Sequence, residues 1–336
     1  MSIRVLKPGP LSSLQDLGRH GYQRFGVIVG GVMDEWSHRV ANLLVGNAQS
    51  EATLEITLMG PSLVFERAAL IAIAGADLSA RIGEAPLPQG VPVLVREGSQ
   101  LDFGRRASGC RAYLAVHGGY AVPPVMGSRS TYLRAGFGGF EGRALRKGDL
   151  LPVGGGDPRS VFPALAGRLD AHAAPFGAFD GGEFEPVAHP ASARERIRFV
   201  AGQQWDAFTE EARERFLAGA FRVNSNSDRM GYRLDGPGLA LRAPLEMISE
   251  GVAFGTVQVP PDGNPIVLMA DRQTTGGYPK IAAVASVDLP LIAQAVPQQE
   301  LRFERIGLDD AQRLYIERED GIDRIRRSIE TLKGVR

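Results

Sequence analysis

Short apolar runs, separated by glycine, proline or aspartate, fill the first half of the chain. They predict β-strands at residues 3–6, 54–58, 62–65, 70–74, 92–95, 100–103, 111–116 and 150–153. Strands at this spacing are typical of a β-barrel or a β-sandwich. Because helical stretches do not alternate with these strands, the pattern disfavours a parallel sheet of the dinucleotide-binding type.

The second half has the same texture, with strands predicted near residues 197–200, 239–241, 255–259, 266–269 and 300–305. Apolar positions at helical spacing predict three longer helices. The first begins at Asp34 and the second at Thr209, both suitable N-caps. The third is a charged amphipathic helix over residues 309–332. We therefore expect a mainly β protein with a few helices, one of them C-terminal.

Composition changes after Gly154, where the chain becomes rich in glycine, alanine and proline and loses its periodicity. This change predicts a linker or surface excursion between two domains. The expected organisation is a β domain over residues 1–155, the linker over 156–195, a second β domain over 196–306 and the C-terminal helix over 307–336.

The charge of the chain is balanced, with 38 lysines and arginines against 38 aspartates and glutamates. This balance favours neither nucleic acid nor an anionic membrane as a partner. Cys110 is the single cysteine and therefore cannot form a disulfide within the chain. With no apolar run of signal-peptide or membrane-spanning length, we expect a soluble cytoplasmic protein.

The most polar loop of the chain lies between two apolar runs, from Asp271 to Pro279, with the sequence DRQTTGGYP. A plain turn needs one glycine and one polar residue, whereas this loop carries an acid, a base, an amide, two hydroxyls and a phenol. Its paired glycines let a ligand approach the backbone. The pattern favours a binding loop over a hairpin in which Asp271 and Arg272 pair locally.

A second polar segment spans residues 224–234 and contains Arg229 and Arg233. Its asparagines, serines and aspartate can satisfy their own turn, but a planar guanidinium also matches a carboxylate or phosphate. We expect Arg229 to face a ligand. Further along, Glu250 and Asp271 are acids in apolar surroundings, so one is expected to form an ion pair and the other to act as a base. The sequence does not distinguish them.

Two weaker signals lie in the first half. The loop at residues 127–132 contains Ser128 and Arg129, which suit an anion or carboxylate. Gly30 and Gly31 precede the first helix, where they suit either an anion or a tight turn. The chain has no P-loop, no Gly-x-Ser-x-Gly elbow and no HExxH or Cys-x-x-Cys motif, and its five histidines are scattered, so we expect no metal site.

Several motifs in order resemble the biotin-dependent carboxyltransferase family, which includes allophanate hydrolase subunit 2 and the C component of 5-oxoprolinase. They are GGVMD at residues 30–34, NLLVGN at 42–47, LEIT at 54–57, GAD at 75–77, GSRST at 127–131 and DRQTTGGYP at 271–279. The match runs from about Gly9 to Arg305. The family is similar to the carboxyltransferase domain of urea carboxylase.

The resemblance implies two cyclophilin-like β-barrel domains with a cleft between them. It also implies a partner, the B component (an allophanate hydrolase subunit 1-like protein), and the use of ATP together with partner proteins. The chain lacks an Ala-Met-Lys-Met biotinyl motif, so any biotin would be carried on another protein. It also lacks the Ser-Ser-Lys arrangement that an amidase acting on allophanate would need.

By resemblance, the substrate cleft is lined by Arg229, Glu250, Gln258, Asp271, Gln273, Thr274 and Tyr278. The resemblance does not fix their roles, so we assign these by chemistry. Arg229 clamps the substrate carboxylate, Gln258 or Gln273 fixes the substrate amide, and Asp271 or Glu250 acts as base. The residues expected to stabilise charge on the lactam oxygen are Thr274, Thr275, Gly276 and Gly277. The other residues expected to bind substrate are Asn226, Asp228, Ser128 and Arg129.

The leading hypothesis is the C component of an ATP-dependent 5-oxoprolinase, which opens 5-oxoproline to glutamate and is inactive without its partner. One alternative is carboxyl transfer from carboxybiotin to urea or a related amide. Another is a regulator without catalysis that binds a kinase-inhibitor partner. Replacing Arg229 by Ala is expected to abolish turnover and leave the fold intact.

Overall fold

A computed structural model describes residues 2–171, 175–179, 184–188 and 196–333 of the chain. The mainly β class with a few helices and a C-terminal helix is confirmed. The chain forms two compact units. Unit 1 comprises Met1–Gly18, Asp34–His189 and Asp320–Arg336, and unit 2 comprises Arg19–Met33 and Pro190–Glu319.

Unit 1 contains two six-stranded sheets with the strand orders β11-β1-β4-β9-β6-β7 and β12-β8-β5-β10-β3-β2, made of the following elements. The strands are β1 (Ser2–Lys7), β2 (Leu11–Gln15), β3 (Thr53–Thr57), β4 (Ser62–Phe65), β5 (Ala69–Asp77), β6 (Arg81–Ile82), β7 (Ala85–Pro86), β8 (Val93–Val95), β9 (Gln100–Asp102), β10 (Ser108–Val116), β11 (Leu150–Pro152) and β12 (Phe176–Ala178). The helices are α1 (Glu35–Leu44), α2 (Pro158–Val161) and α3 (Pro163–Ala171).

The core of unit 1 forms where the chain is most continuously apolar. Strands β5 and β10 pair antiparallel and bury most of their residues. Helix α1 begins as expected, because the Asp34 side chain accepts a hydrogen bond from the Ser37 backbone N–H at 3.0 Å. The same helix carries His38, whose side chain is fully buried.

The predicted linker at residues 156–195 is not featureless in its described part. Asp157 caps α2, and the side chains of Phe162, Leu165 and Leu169 are buried in unit 1. The glycine- and alanine-rich composition obscured these helices, because only three large apolar residues form the buried face. Residues 172–174, 180–183 and 189–195 of the predicted linker, with His172 and His189, lie outside the described residues.

Unit 2 is built on one eight-stranded sheet with the order β21-β14-β15-β18-β17-β20-β13-β22, and a separate two-stranded pair joins β16 to β19. The strands are β13 (Ile197–Ala201), β14 (Phe221–Val223), β15 (Gly231–Asp235), β16 (Glu250–Gly251), β17 (Thr256–Gln258), β18 (Ile266–Leu268), β19 (Thr275–Gly276), β20 (Lys280–Val284), β21 (Glu300–Leu301) and β22 (Phe303–Arg305). The helices are α4 (Glu210–Ala218) and α5 (Leu289–Ala293), and α6 (Leu308–Leu332) contributes residues to both units.

The large sheet of unit 2 is strongly curved. Strands β21 and β22 form its two edges, yet only Arg302 separates them along the chain. A sheet whose edges are joined by one residue must curl almost into a barrel. Its interior is filled by aromatic rings, among which Phe216 and Phe303 stack with their centroids 4.7 Å apart.

Helix α4 in unit 2 begins where the sequence predicts, since Thr209 Oγ1 accepts from the Ala212 N–H at 3.1 Å. Across the described part of the chain, no helix combines the length and the apolarity needed to cross a membrane. The domain limits drawn from sequence differ from the compact units at the predicted linker, at the C-terminal helix and at one segment near the start of the chain. The segment Arg19–Met33, predicted to belong to the first domain, packs with unit 2.

Candidate functional site

A cavity of about 630 Å³ opens on the large sheet of unit 2, and every residue that lines it belongs to that unit. Gly231 and Arg233 of β15 and Ile266 and Leu268 of β18 form its floor. Successive side chains of a β-strand point to opposite faces of the sheet, so Ile266 and Leu268 face the cavity while Val267 between them points into the aromatic core. The cleft between domains that the resemblance implies stays an expectation.

The register of the sheet aligns three floor and wall residues. Arg233 is the antiparallel partner of Ile266, and Ile266 is in turn the partner of Gln258 on β17. Directly paired residues point to the same face of a sheet, so all three side chains project toward the cavity. Two strand spacings, roughly 10 Å, separate the backbones of Arg233 and Gln258.

The polar loop predicted to bind a ligand does line this cavity. Its residues Thr275 and Gly276 form β19, which pairs with β16 so that Gly276 lies opposite Glu250. The loop residues at the cavity are Gln273, Thr275, Gly276, Gly277 and Tyr278. Thr274 is not among them, and its carbonyl accepts from the Val252 N–H at 3.2 Å.

Gln258 is the most deeply buried polar side chain among the described residues that line the cavity. It is 95% buried, with 5% of its surface exposed, and its Nε2 has no hydrogen-bond partner among the described residues. A Cβ on Gly276 would lie only 2.4 Å from this Nε2, so the glycine makes room for the amide. A buried donor without a partner is costly unless a ligand satisfies it.

Lys280 contacts a predicted site residue and was missed by the sequence analysis, although it does not itself line the cavity. Its ammonium forms an ion pair with Glu250, and Lys280 is itself buried while the Glu250 side chain is 42% exposed. Lys280 is also the strand partner of Gln258. Its position directly after Pro279, at the end of the polar loop, was the available signal. Glu250 does not line the cavity, but its neighbour Ser249 does.

Arg229 and Asp271, predicted as clamp and base, bind each other instead. Arg229 Nε donates to Asp271 Oδ2 at 2.9 Å, and its Nη2 donates to Asp271 Oδ1 at 3.0 Å. The same Nη2 donates to the Gly31 carbonyl at 2.5 Å. Both side chains are more than 90% buried, and neither lines the cavity. This geometry corrects the expectation that Arg229 is available to a substrate carboxylate.

Arg229 therefore joins three distant segments of unit 2. Gly30 and Gly31 both have positive φ, and Asp271 N–H donates to the Arg229 carbonyl at 2.8 Å. The left-handed conformation of the two glycines favours residues without a Cβ, and the Gly31 carbonyl accepts a hydrogen bond from the Arg229 cation.

Asn226 and Asp228, which the sequence analysis expected to bind substrate, line the cavity. Their segment also satisfies its own backbone, the alternative that the sequence left open. Asp228 Oδ1 accepts from the N–H groups of Met230 at 2.8 Å and Gly231 at 3.2 Å. Asn224 Oδ1 accepts from the Asn226 N–H at 2.9 Å. The turn is therefore rigid and presents Asn226 to the cavity.

The predicted anion site at Ser128 and Arg129 holds a carboxylate of the chain itself. Asp16 accepts hydrogen bonds from Ser128 Oγ at 2.7 Å, Ser130 Oγ at 2.6 Å and the Arg129 N–H at 2.5 Å, all within unit 1. Burial raises the pKa of Asp16, but these hydrogen bonds outweigh it and hold the pKa below its ordinary value. Neither Ser128 nor Arg129 lines the cavity.

Metal ligands do not gather in the described ranges, where no group of three His, Cys, Asp or Glu residues is placed to hold an ion. The cavity instead has two carboxylates, from Asp228 and Asp262, together with amides, hydroxyls and one guanidinium. The amides, the hydroxyls and the guanidinium recognise carbonyl and carboxylate oxygens by hydrogen bonding.

Known families and proteins resemble this chain over almost its whole length. Residues 25–305 match the family model described as carboxyltransferase domain, subdomain A and B. The C component of 5-oxoprolinase from Haemophilus influenzae is 36% identical over 328 residues, which cover 98% of this chain and 99% of the relative. Its counterpart from Escherichia coli, also the C component of 5-oxoprolinase, is 37% identical over 309 residues, with 92% and 93% covered.

Among solved structures, the K. lactis urea amidolyase superposes with a TM-score of 0.82 at 32% identity over 96% of this chain. The chain spans only 20% of that much longer protein. The agreement of sequence and structure over nearly the whole length shows that the chain belongs to the carboxyltransferase domain, subdomain A and B family.

Proposed function

We propose that the chain is the C component of an ATP-dependent 5-oxoprolinase and acts with a B-component partner on a small cyclic amide. The structural observation that carries the proposal is the buried Nε2 of Gln258, an amide donor on a cavity-lining side chain that has no partner among the described residues. A lactam oxygen is an acceptor suited to this donor. The full-length similarity to two proteins named as the C component of 5-oxoprolinase supports the choice of lactam.

Opening a lactam breaks its C–N bond and adds water across it, so that the carbonyl carbon becomes a carboxylate and the nitrogen an amine. Negative charge develops on the carbonyl oxygen before the bond breaks. Gln258 Nε2 donates to this oxygen, and the Thr275 hydroxyl lines the same cavity. A donor that is already desolvated and fixed stabilises this charge more than a mobile one in water.

Glu250 is the better placed of the two acids predicted as base. Asp271 is engaged by Arg229 on both oxygens, whereas Glu250 remains partly exposed beside the cavity-lining Ser249 and Gly276. Lys280 holds the Glu250 side chain from its buried side. In the proposed reaction Glu250 takes a proton from the attacking water, and Lys280 orients the Glu250 carboxylate.

The residues that line the cavity do not fit a nucleoside triphosphate. Its described lining includes two carboxylates, Asp228 and Asp262, against the single guanidinium of Arg233. A triphosphate requires several cations or a loop of backbone amides. In our proposal ATP is therefore used with the partner proteins, and no step in this cavity passes through it.

The decisive experiment mixes the purified chain with its cognate A and B components, ATP and 5-oxoproline, and measures glutamate and ADP. The proposal expects both products from the complete mixture, and neither when this chain is left out or is the only protein present. Equal glutamate production with and without this chain would refute the proposal.

Carboxyl transfer from carboxybiotin to urea or a related amide is the second candidate. The family description and the structural likeness to urea amidolyase favour it. Gln258 suits this reaction as well, because urea and the ureido ring of biotin both present a carbonyl oxygen. Biotin would be carried on another protein. Release of biotin from carboxybiotin that depends on both urea and this chain would favour this candidate over lactam opening.

A further inference from the structure

Arg233 supplies the only positive charge among the described residues that line the cavity of unit 2. Its backbone is held in place, since the Arg233 N–H donates to Ser227 Oγ at 3.1 Å and the Ser227 hydroxyl donates to the Arg233 carbonyl at 3.3 Å. Its guanidinium, by contrast, forms no hydrogen bond or ion pair with the described part of the chain. The backbone of Arg233 is thus held in place at the cavity, while its guanidinium makes no hydrogen bond or ion pair with the described residues.

The neighbouring acids do not neutralise this cation by direct contact. Asp228 Oδ1 is engaged by two backbone N–H groups of its own turn. Asp262 Oδ1 accepts from the Asn264 N–H at 3.1 Å, again within its own turn. Neither carboxylate lies within ion-pair distance of Arg233, so the five N–H donors of the guanidinium remain open to a ligand.

The sheet register places Arg233 and Gln258 at two ends of one row. Ile266 lies between them, and Leu268 lies beside it on the same face. A ligand that spans this row meets an amide donor at one end, an apolar floor in the middle and a guanidinium at the other end. A small ring with an amide oxygen on one side and a carboxylate on the other has this pattern.

We propose that Arg233, rather than Arg229, is the specificity-determining residue that binds the substrate carboxylate. This inference rests on the proposed function and narrows the substrate class to small lactams that carry one carboxylate. The guanidinium fork binds such a carboxylate through two parallel hydrogen bonds. Asp228 and Asp262 oppose ligands of higher negative charge, including phosphate esters and dicarboxylates.

The test compares 5-oxoproline with 2-pyrrolidinone, the same lactam without its carboxylate, in the complex reassembled from all components. Arg233→Gln is expected to raise KM for 5-oxoproline about 10- to 100-fold, the usual loss for a hydrogen bond to a charged group, with kcat within about twofold. The activity on 2-pyrrolidinone is expected to be weak and equal in both proteins. Arg233→Lys is expected to recover only part of the loss, because an ammonium lacks the planar fork.

Arg222→Gln is the matched control, because Arg222 is also an exposed arginine on a strand of the same sheet and does not line the cavity. It is expected to leave both KM values unchanged, and melting temperatures of all variants should agree with that of the wild type. An unchanged KM for 5-oxoproline in Arg233→Gln would overturn the inference, as would an equal rise in KM for both lactams.

Calorimetric binding without ATP separates this inference from the proposed function. If the wild-type assembly does not turn over 5-oxoproline, the proposed function fails, yet binding still reports on Arg233. Tighter binding of 5-oxoproline than of 2-pyrrolidinone, lost in Arg233→Gln, would support the carboxylate site. Absence of that preference in the wild type would overturn it.

Discussion

The pair of Arg229 and Asp271 shows how one buried contact organises the neighbourhood of the cavity. The two residues are 42 positions apart, and the third partner, Gly31, is 198 positions from Arg229. In sequence, Arg229 lies next to the cavity-lining Met230 and Asp271 lies two residues before the cavity-lining Gln273, but neither member of the pair enters the cavity. We infer that the pair fixes the two loops whose other residues line the cavity.

Replacing Arg229 by Met is expected to destabilise the protein by about 3–5 kcal/mol, because Asp271 is left charged and buried without its partner. This replaces the expectation from sequence that Arg229→Ala leaves the fold intact. Chemical unfolding followed by fluorescence measures the loss. The double variant Arg229→Met/Asp271→Leu is expected to recover part of it, since no buried charge remains unpaired. A wild-type unfolding midpoint in Arg229→Met would contradict the assignment.

His38 offers a second prediction at the residue scale. Burial lowers its pKa from 6.5 to about 4, although the charges of Asp16, Glu55 and Asp34 act in the opposite direction. As the pH falls, the His38 imidazole is therefore protonated near pH 6.5 in the unfolded chain but only near pH 4 in the folded chain. The contribution of His38 to the free energy of unfolding is therefore fully present above pH 6.5. It falls by about 3 kcal/mol in all as the pH drops toward 4.

Unfolding free energies measured between pH 7 and pH 4 test this dependence. His38→Gln is expected to flatten the curve in this interval. Identical slopes in wild type and His38→Gln would show that the buried imidazole is not the group responsible.

At the scale of elements, the short pair β16–β19 connects the proposed base, Glu250, with the proposed donor, Gln258. It sets Glu250 opposite Gly276, and Gly276 lies against the Gln258 amide. The sequence predicted β17 and β18 and the polar loop, because each has its own local pattern. It did not predict this pairing or the Lys280 ion pair, because a two-residue strand has no periodicity to detect.

Gly276→Ala is expected to reduce activity more than stability. The added methyl group would lie 2.4 Å from Gln258 Nε2 and must push this amide out of position. We expect kcat/KM of the assembled enzyme to fall at least about 10-fold, in line with the loss of one preorganised donor. The measurement pairs turnover with a thermal melt.

Gly251→Ala is the matched control, because Gly251 lies on the partner strand and its Cβ would meet nothing within 4 Å. Full activity is expected in this variant. If Gly276→Ala retained wild-type turnover, Gln258 would not be the donor that the reaction uses.

For the whole molecule, the organisation into two units follows contacts rather than sequence order. The mainly β class and the capped helices α1 and α4 were predictable, because their signals are local. The assignment of Arg19–Met33 to unit 2 was not, since it depends on contacts with residues far along the chain. The helices α2 and α3 were missed for lack of a strong apolar period.

A fragment of residues 196–319 is therefore expected to fold poorly, because it lacks the Gly31 carbonyl that Arg229 binds. Joining residues 19–33 to this fragment through a flexible linker should restore a cooperative thermal transition. Circular dichroism and NMR amide dispersion distinguish the two outcomes. A cooperative transition in the shorter fragment would show that the segment is dispensable for folding.

Arg233, as the only cation among the described lining residues, also gives the proposed reaction a direction. Ring opening gives the product a second carboxylate and an ammonium, so its net charge equals that of the substrate but its charges are separated. The new carboxylate forms at the amide end, where no described lining residue carries a compensating cation. The neutral lactam carbonyl does not have this unpaired charge, so we expect the product to be held less well than the substrate at that end of the cavity and to leave it for the next turnover.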